Sequence, residues 1–247
     1  MSDLAGRRAL VTGGSRGIGA GIARGLAAKG ADVAITYERS ADAAADVVRA
    51  IEAQGRRALA IQADSADPAA VKRSVDEAAA ALGGLDILVN NAGIAGSGGL
   101  LADTSLADID ALLNVNVRAV VLASQAAIPH LGAGGRIVSI GSCLAERVPF
   151  GGVTVYSMTK SALLAFTRGL ARELGPSDIT VNLVQPGPID TDMNPADGAQ
   201  ADVIRSFTAT GRYGTPEDIA AAVAFLASPA ARQITGTTIT VDGGVNA

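Results

Sequence analysis

The chain has almost none of the residues that usually carry metal, redox or triad chemistry. It holds one cysteine, one histidine and no tryptophan in 247 residues. A single thiol, Cys143, excludes an intrachain disulfide and any multi-cysteine metal site, and is compatible with a reducing compartment. The lone His130 has no sequence neighbour that would make it the base of a nucleophilic triad, and reads as an exposed residue at a helix end. Aromatics are 3% and charged residues 18%, with a net charge of −4, so no basic face for nucleic acid is expected. No uninterrupted apolar run approaches the length of a membrane span, and "MSDLAGRRALVTGG" holds no leader-like apolar stretch. A cytoplasmic protein is the expectation.

What the chain has in abundance is small apolar residues. Hydrophobic residues make up 49%, and there are 30 glycines. Short apolar runs ("RRALVTG", "DVAITY", "RALAIQAD", "LDILVNNAG", "GRIVSIGS", "ITVNLVQPG", "TTITVDGG") alternate with Ala-rich stretches of helical period. The helices are expected over 17–29 and 41–54, after Pro68, and near 107–128, 154–174 and 216–228. Strands that are apolar throughout are buried on both faces. The order predicts one α/β domain over 1–247, a doubly wound parallel sheet of about seven strands with helices on both faces. No linker or repeat divides it.

The first strand runs into "VTGGSRGIGAGIA". Glycines between a strand and a helix let the backbone approach a pyrophosphate, and the helix N-terminus offers it unpaired N–H groups. The spacing here is Gly-x-x-x-Gly-x-Gly over Gly13, Gly17 and Gly19, which departs from the commoner dinucleotide fingerprint. After the second strand come Tyr37, Glu38 and Arg39. An acidic residue there favours NAD and an arginine favours the extra phosphate of NADP. Arg39 and Arg16 together favour NADPH, with NADH as the alternative that Glu38 keeps open.

Taken together, "TGGSRGIG", "NNAG", "YSMTK" and "PGPIDT" resemble the short-chain dehydrogenase/reductase family, in its order and over essentially the whole chain. The resemblance implies a Rossmann-type fold and hydride transfer between a nicotinamide and a carbonyl or alcohol. It implies a catalytic set of Asn116, Ser142, Tyr156 and Lys160. Tyr156 would exchange the proton, its pKa lowered by Lys160 one helical turn away. Ser142 would hold the substrate oxygen; it is separated from Tyr156 by 13 residues where the family has 12, read as a lengthened "ERVPFGG" loop. Ser139 and Asn114 are the competitors of Ser142 and Asn116. In the family the asparagine holds a relay water, and the lysine bonds the nicotinamide ribose.

Cofactor contacts implied by position are Gly13, Ser15, Arg16, Gly17, Ile18 and Gly19 in the glycine loop, then Tyr37, Arg39 and Asp64. Asn90, Ala92 and Gly93 would line the adenosine side, and Pro186, Gly187, Ile189 and Thr191 the nicotinamide side. Residues 190–213 would shape the substrate site. "DTDMNPADG" starts like a calcium loop but lacks the required Gly and Glu, so no metal is expected.

The similarity is nearest to 3-oxoacyl-carrier-protein reductases and broad-range carbonyl reductases. A sparse basic patch favours a small ketone or alcohol over a carrier-bound substrate. The "QPGPIDTDMNPADG" segment is also similar to a bacterial biofilm-dispersal regulator that binds a cyclic dinucleotide, so a nucleotide-binding regulator is the reading of another class. Homotetramers formed through the two long helices and the C-terminal segment are usual in the family.

Overall fold

The computed structural model describes residues 3–247. Seven strands form one parallel sheet in the order β3-β2-β1-β4-β5-β6-β7. The strands are β1 (Arg8–Val11), β2 (Asp32–Tyr37), β3 (Ala58–Gln62), β4 (Leu85–Asn90), β5 (Leu131–Ile140), β6 (Thr180–Pro186) and β7 (Thr238–Val241). The order reverses between β1 and β4, and this switch point opens a crevice at the carboxyl ends of the strands.

Alternate residues of each strand feed two cores, one on each face. Val11, Ile35, Val89 and Val184 pack against α1 (Gly17–Ala28), α2 (Ala41–Glu52) and α8 (Pro216–Ala227). Leu10, Ala34, Leu88 and Val181 pack against α3 (Pro68–Leu82), α5 (Ala119–Ala127) and α6 (Thr154–Leu174). Helix boundaries follow local chemistry. Asp67 accepts the Ala69 N–H ahead of Pro68, and α3 stops at the left-handed Gly83. Thr215 and Asp218 form a capping box around Pro216. At Gly21 of α1 a Cβ would come within 2.6 Å of Pro216, so only glycine lets α1 and α8 approach this closely.

The single helix expected over 107–128 is divided. It consists of α4 (Leu106–Leu113), a π-helical turn over Asn114–Arg118, and α5. The stretch Leu106–His130 is long and apolar enough to cross a membrane by length and composition, but here it packs on α3 and α6. β5 starts earlier than "GRIVSIGS" suggests, and its register with β4 shifts between Leu85 and Ile87. The 190–213 segment holds a short helix, α7 (Ala201–Ser206), and is tied down where Ile189 bridges Gly214. His130 is not a free surface residue: its Nε2 lies 2.9 Å from Asp76 Oδ1, far from the crevice chemistry on α3.

β1 and β4 are clamped at their amino ends by Asp86, which takes Arg8 Nε at 2.7 Å, Arg8 Nη2 at 3.0 Å and the Arg8 backbone N–H at 2.9 Å. Burial pushes the Asp86 carboxyl up, but the Arg8 hydrogen bonds outweigh it and hold the group below its ordinary value. A carboxylate lowered in the folded state stabilises above its unfolded pKa, and that stabilisation is lost as pH falls through the folded value. Asp86→Ala is therefore expected to cost about 1–2 kcal/mol at pH 7, held to that range by partial exposure. In urea denaturation the gap to the natural chain should close on acidification below about pH 4.

Candidate active site

The crevice floor is made by the glycine loop and the end of β4. Gly13 and Gly17 have φ of +63° and +50°. A Cβ at Gly19 would lie 2.2 Å from the Gly13 carbonyl oxygen and 2.5 Å from Asn91 Nδ2. No larger residue fits there without moving the loop. Two residues that the motif reading passed over hold this loop. Asn91 Nδ2 donates to the Thr12 and Gly13 carbonyls at 2.9 and 3.0 Å. Thr12 Oγ1 accepts the Asn91 and Ala92 N–H groups, each at 3.0 Å. The second asparagine of "NNAG" was the available signal, since a polar pair at a strand end beside a glycine loop needs backbone partners.

Asn90 ends β4 beside the hollow that Thr12, Ser65 and Ala92 line. Its side chain is buried and held from behind, donating to Ser124 Oγ at 3.0 Å, with Ser139 Oγ at 3.4 Å. The same contact removes Ser139 from contention with Ser142, because Ser139 pairs with Asn90 across β4 and β5 and is fully buried.

The remaining cofactor candidates fall along one edge. Arg16 is exposed and extended just before α1, while Ile18 packs on the core, and Ser15 lies half-buried between the glycines. Tyr37 packs partly on the core at the end of β2. Arg39 is exposed beyond it, its Nε 2.7 Å from Glu38 Oε1, which raises its already high pKa. Asp64 is exposed and accepts the Ala66 N–H at 2.7 Å. At the far end, the Gly187 N–H bonds the Val241 carbonyl just after Pro186, and Ile189 is buried. Thr191 lies beside Gly17, where a Cβ would come within 3.3 Å of its Cγ2, so the glycine loop and the "PGPIDT" turn meet. A cradle of close backbone with two exposed arginines at one end fits a phosphorylated dinucleotide.

Ser142, Tyr156, Lys160 and Asn116 converge at the carboxyl ends of β4 and β5. Tyr156 and Lys160 share one face of α6, four residues apart. The Lys160 ammonium is buried, donates to the Ile140 carbonyl at 3.0 Å, and lies 5.8 Å from the Tyr156 ring centroid. Ser142 follows the end of β5 by two residues, accepts the Leu144 N–H at 3.2 Å, and its hydroxyl lies beside the Tyr156 phenol, whose acidity it favours. A Cβ at Gly93 would lie 3.3 Å from Lys160 Nζ and 3.4 Å from Asn116 Oδ1, so this glycine separates the two side chains.

Asn116, not Asn114, is the buried member of its pair. It sits in the π-turn, with Oδ1 accepting the Ile94 N–H at 2.9 Å. Its Nδ2 donates to the Ile94 carbonyl at 2.9 Å and to Thr159 Oγ1 at 3.1 Å. Thr159 in turn donates to the Tyr156 carbonyl at 2.7 Å. The asparagine side chain is thus fully engaged in joining the β4 loop to the Tyr156 turn.

The electrostatics differ from the expected lowering of Tyr156. Burial pushes the phenol above its ordinary value, and the Ser142 hydrogen bond offsets only part of that. Lys160 Nζ lies 5.8 Å from the Tyr156 ring centroid, and burial pulls its own ammonium down to about 8. Cys143 is likewise pushed up to about 11 by burial, which leaves it an unreactive thiol. The arrangement can hold a small oxygen atom against two hydroxyls and exchange a proton with it. Among the described residues no cluster of His, Cys, Asp or Glu could hold a metal ion.

A buried lysine with a lowered pKa costs stability wherever the unfolded chain is protonated and the folded one must carry the charge inside. Lys160→Met is accordingly expected to melt higher than the natural chain at pH 7. The difference should shrink as pH rises from about 8 towards 10.5, where the folded natural chain sheds the proton first. Differential scanning fluorimetry across that range is the check.

A family model described as enoyl-(acyl carrier protein) reductase matches residues 13–246. A crystal structure of a short-chain dehydrogenase from Burkholderia cenocepacia in complex with NADP is 66% identical, with a TM-score of 0.97 and 99% of each chain covered. The cyclic-di-GMP-binding biofilm dispersal mediator protein of Escherichia coli is 45% identical over the full length of both chains. A 3-oxoacyl-[acyl-carrier-protein] reductase of Synechocystis is 40% identical, covering 99% of each.

Proposed function

The chain belongs to the short-chain dehydrogenase/reductase family, and from that premise we propose that it is an NADPH-preferring ketone reductase working reversibly on a small carbonyl or secondary alcohol. The observation that carries this reading is the Ser142–Tyr156 hydroxyl pair backed by a buried Lys160. A protein that only binds a nucleotide has no use for a phenol held in this way.

In this reading Gly13, Ser15, Arg16, Gly17, Ile18 and Gly19 hold the pyrophosphate through backbone N–H groups and the start of α1. Arg39 and Arg16 take the ribose phosphate, for which Arg39 exchanges its Glu38 partner. Tyr37, Asp64, Ala92, Gly93 and the Asn90 backbone border the adenosine, and Pro186, Gly187, Ile189 and Thr191 the nicotinamide. The NADP of the Burkholderia relative supports that assignment. The bound cofactor supplies the hydride. Ser142 donates a hydrogen bond to the carbonyl oxygen and stabilises the charge that grows there. Tyr156 gives that oxygen its proton, and positive charge brought near the phenol by Lys160 and an oxidised nicotinamide counters the upward push of burial. Asn116, through Thr159 and Ile94, keeps the Tyr156 turn and the β4 loop in place.

Leu106, Val121 and Met158 expose apolar surface on the long helices, which supports association into a homotetramer. Carrier-protein reduction is the alternative within the same chemistry. The full-length likeness to the E. coli dispersal mediator favours, as a second reading, a regulator that binds a cyclic dinucleotide.

Steady-state oxidation of NADPH and NADH against ketones, aldehydes and 3-oxoacyl thioesters separates these. NADPH is expected to be preferred, and Tyr156→Phe to lose at least about 100-fold in turnover while still binding NADPH. Tight NADPH binding without turnover of any carbonyl, together with saturable cyclic dinucleotide binding, would establish the regulator instead. Arg39→Ala is expected to reduce the preference for NADPH over NADH about tenfold by removing a charge-assisted bond.

A further inference from the structure

We propose that Phe150 and Phe207 determine specificity, selecting an uncharged carbonyl compound that bears a ring, and that the carboxylates around them turn away anionic substrates. This rests on the reductase reading above.

The two phenylalanines come from segments far apart in the chain. Phe150 lies in the loop between Ser142 and Tyr156, and Phe207 ends α7. Their rings stack with centroids 6.0 Å apart and planes at 22°. Both stay more than a third exposed, at 41% and 36%. Aromatic rings left this open normally mark a surface that something covers. In a chain with four phenylalanines, two of them have been spent here.

The surroundings say what fits. Leu100 packs towards Gly151 next to Phe150 and is itself 64% exposed, and Val203, one helical turn before Phe207, is 60% exposed. The hollow bordering Tyr156 is walled by the glycine-rich stretch from Ala95 to Gly99 and by Val153. These are contacts for an apolar body, and a flat ring on an exposed phenylalanine edge adds aromatic attraction.

Charge then narrows the class. The 95–110 segment, which lines that hollow, carries Asp103, Asp108 and Asp110 and no lysine or arginine. The 190–207 segment carries Asp190, Asp192, Asp197 and Asp202 against Arg205, which already pairs with Asp202. The nearest further cations are Arg147 in the Phe150 loop, which donates to the Val245 carbonyl, and Arg212, so the carboxylates stay in excess. A substrate carboxylate, or the acidic surface of a carrier protein, would approach like charge in a cleft where fields are focused. Exposed Arg16, and Arg39 with its Glu38 partner, sit at the other end of the crevice. The cation-rich end suits a phosphorylated cofactor and the anion-rich end a neutral substrate.

The test compares acetophenone, its saturated counterpart cyclohexyl methyl ketone, and 4-acetylbenzoate, each with NADPH, on the natural chain and on Phe150→Leu, Phe207→Leu and the double variant. Melting curves confirm that the variants fold. Acetophenone should be preferred over the saturated ketone. Each leucine variant should raise KM for acetophenone about fivefold, the scale of one aromatic contact. The saturated ketone should change little, and the double variant should fall short of the product of the two. On the natural chain, 4-acetylbenzoate should show a kcat/KM about tenfold below acetophenone at low salt, the gap narrowing as salt screens the carboxylates. Equal losses for the ring and saturated ketones would overturn the aromatic selection. A carboxylate substrate used as well as its neutral parent at low salt would overturn the electrostatic exclusion.

If none of the three turns over although NADPH binds, the reductase reading fails. Quenching of NADPH fluorescence on Tyr156→Phe then decides the present inference by itself. Acetophenone binding tighter than 4-acetylbenzoate, and weaker with Phe207→Leu added, would sustain it; equal binding of the two would overturn it.

Discussion

Burying the Lys160 ammonium costs solvation, and the surrounding chain is built to bear that cost at one place. The group keeps one strong partner, the Ile140 carbonyl at the end of β5, and turns its remaining face to the Tyr156 ring and the Gly93 turn. A parallel sheet makes such a place available. Its strand ends gather unpaired carbonyls at one edge, and the helices that return the chain bring side chains over that edge. The lysine lies where it does because α6 packs along β6 and reaches the end of β5 there, with Tyr156 one turn earlier. A shift of the strand register by one residue would leave the charge without its carbonyl.

The polar ties around that charge carry the loops into position. Thr12 and Asn91 fasten the glycine loop to β4, and Asn116 and Thr159 fasten the β4 loop to α6. The π-turn over Asn114–Arg118 is part of the same device. Inserting one extra residue into a helical turn rotates Asn116 inward, where both ends of its amide find partners. Few of these side chains reach the crevice surface themselves. They hold backbone there, which is what a dinucleotide cradle consists of.

The crevice also separates charge along its length. Exposed guanidinium groups stand beside β2 and before α1, and Asp108 lines the hollow beside Tyr156, in a segment that carries no lysine or arginine. Screening at physiological salt extends only about 8 Å, so charges at separate ends of a crevice act largely independently. The proposed cofactor and substrate can therefore be recognised by opposite electrostatics within one domain.

Much of this was legible in the residues alone because it is local. Alternating apolar runs and Ala-rich periods define the parallel α/β sheet, the glycine spacing after β1 marks a backbone cradle, and Tyr156 and Lys160 share a helix face by counting four. What only the tertiary structure decided is how polar side chains far apart in sequence are partnered. Asn90 turned inward to Ser124 and Ser139, 34 and 49 residues away, while its neighbour Asn91 took the glycine loop. The direction of the Tyr156 shift likewise depends on how deeply α6 is covered, and the Phe150–Phe207 stack on where two loops end. Burial and pairing across such distances are properties of the packed chain, and no local pattern encodes them.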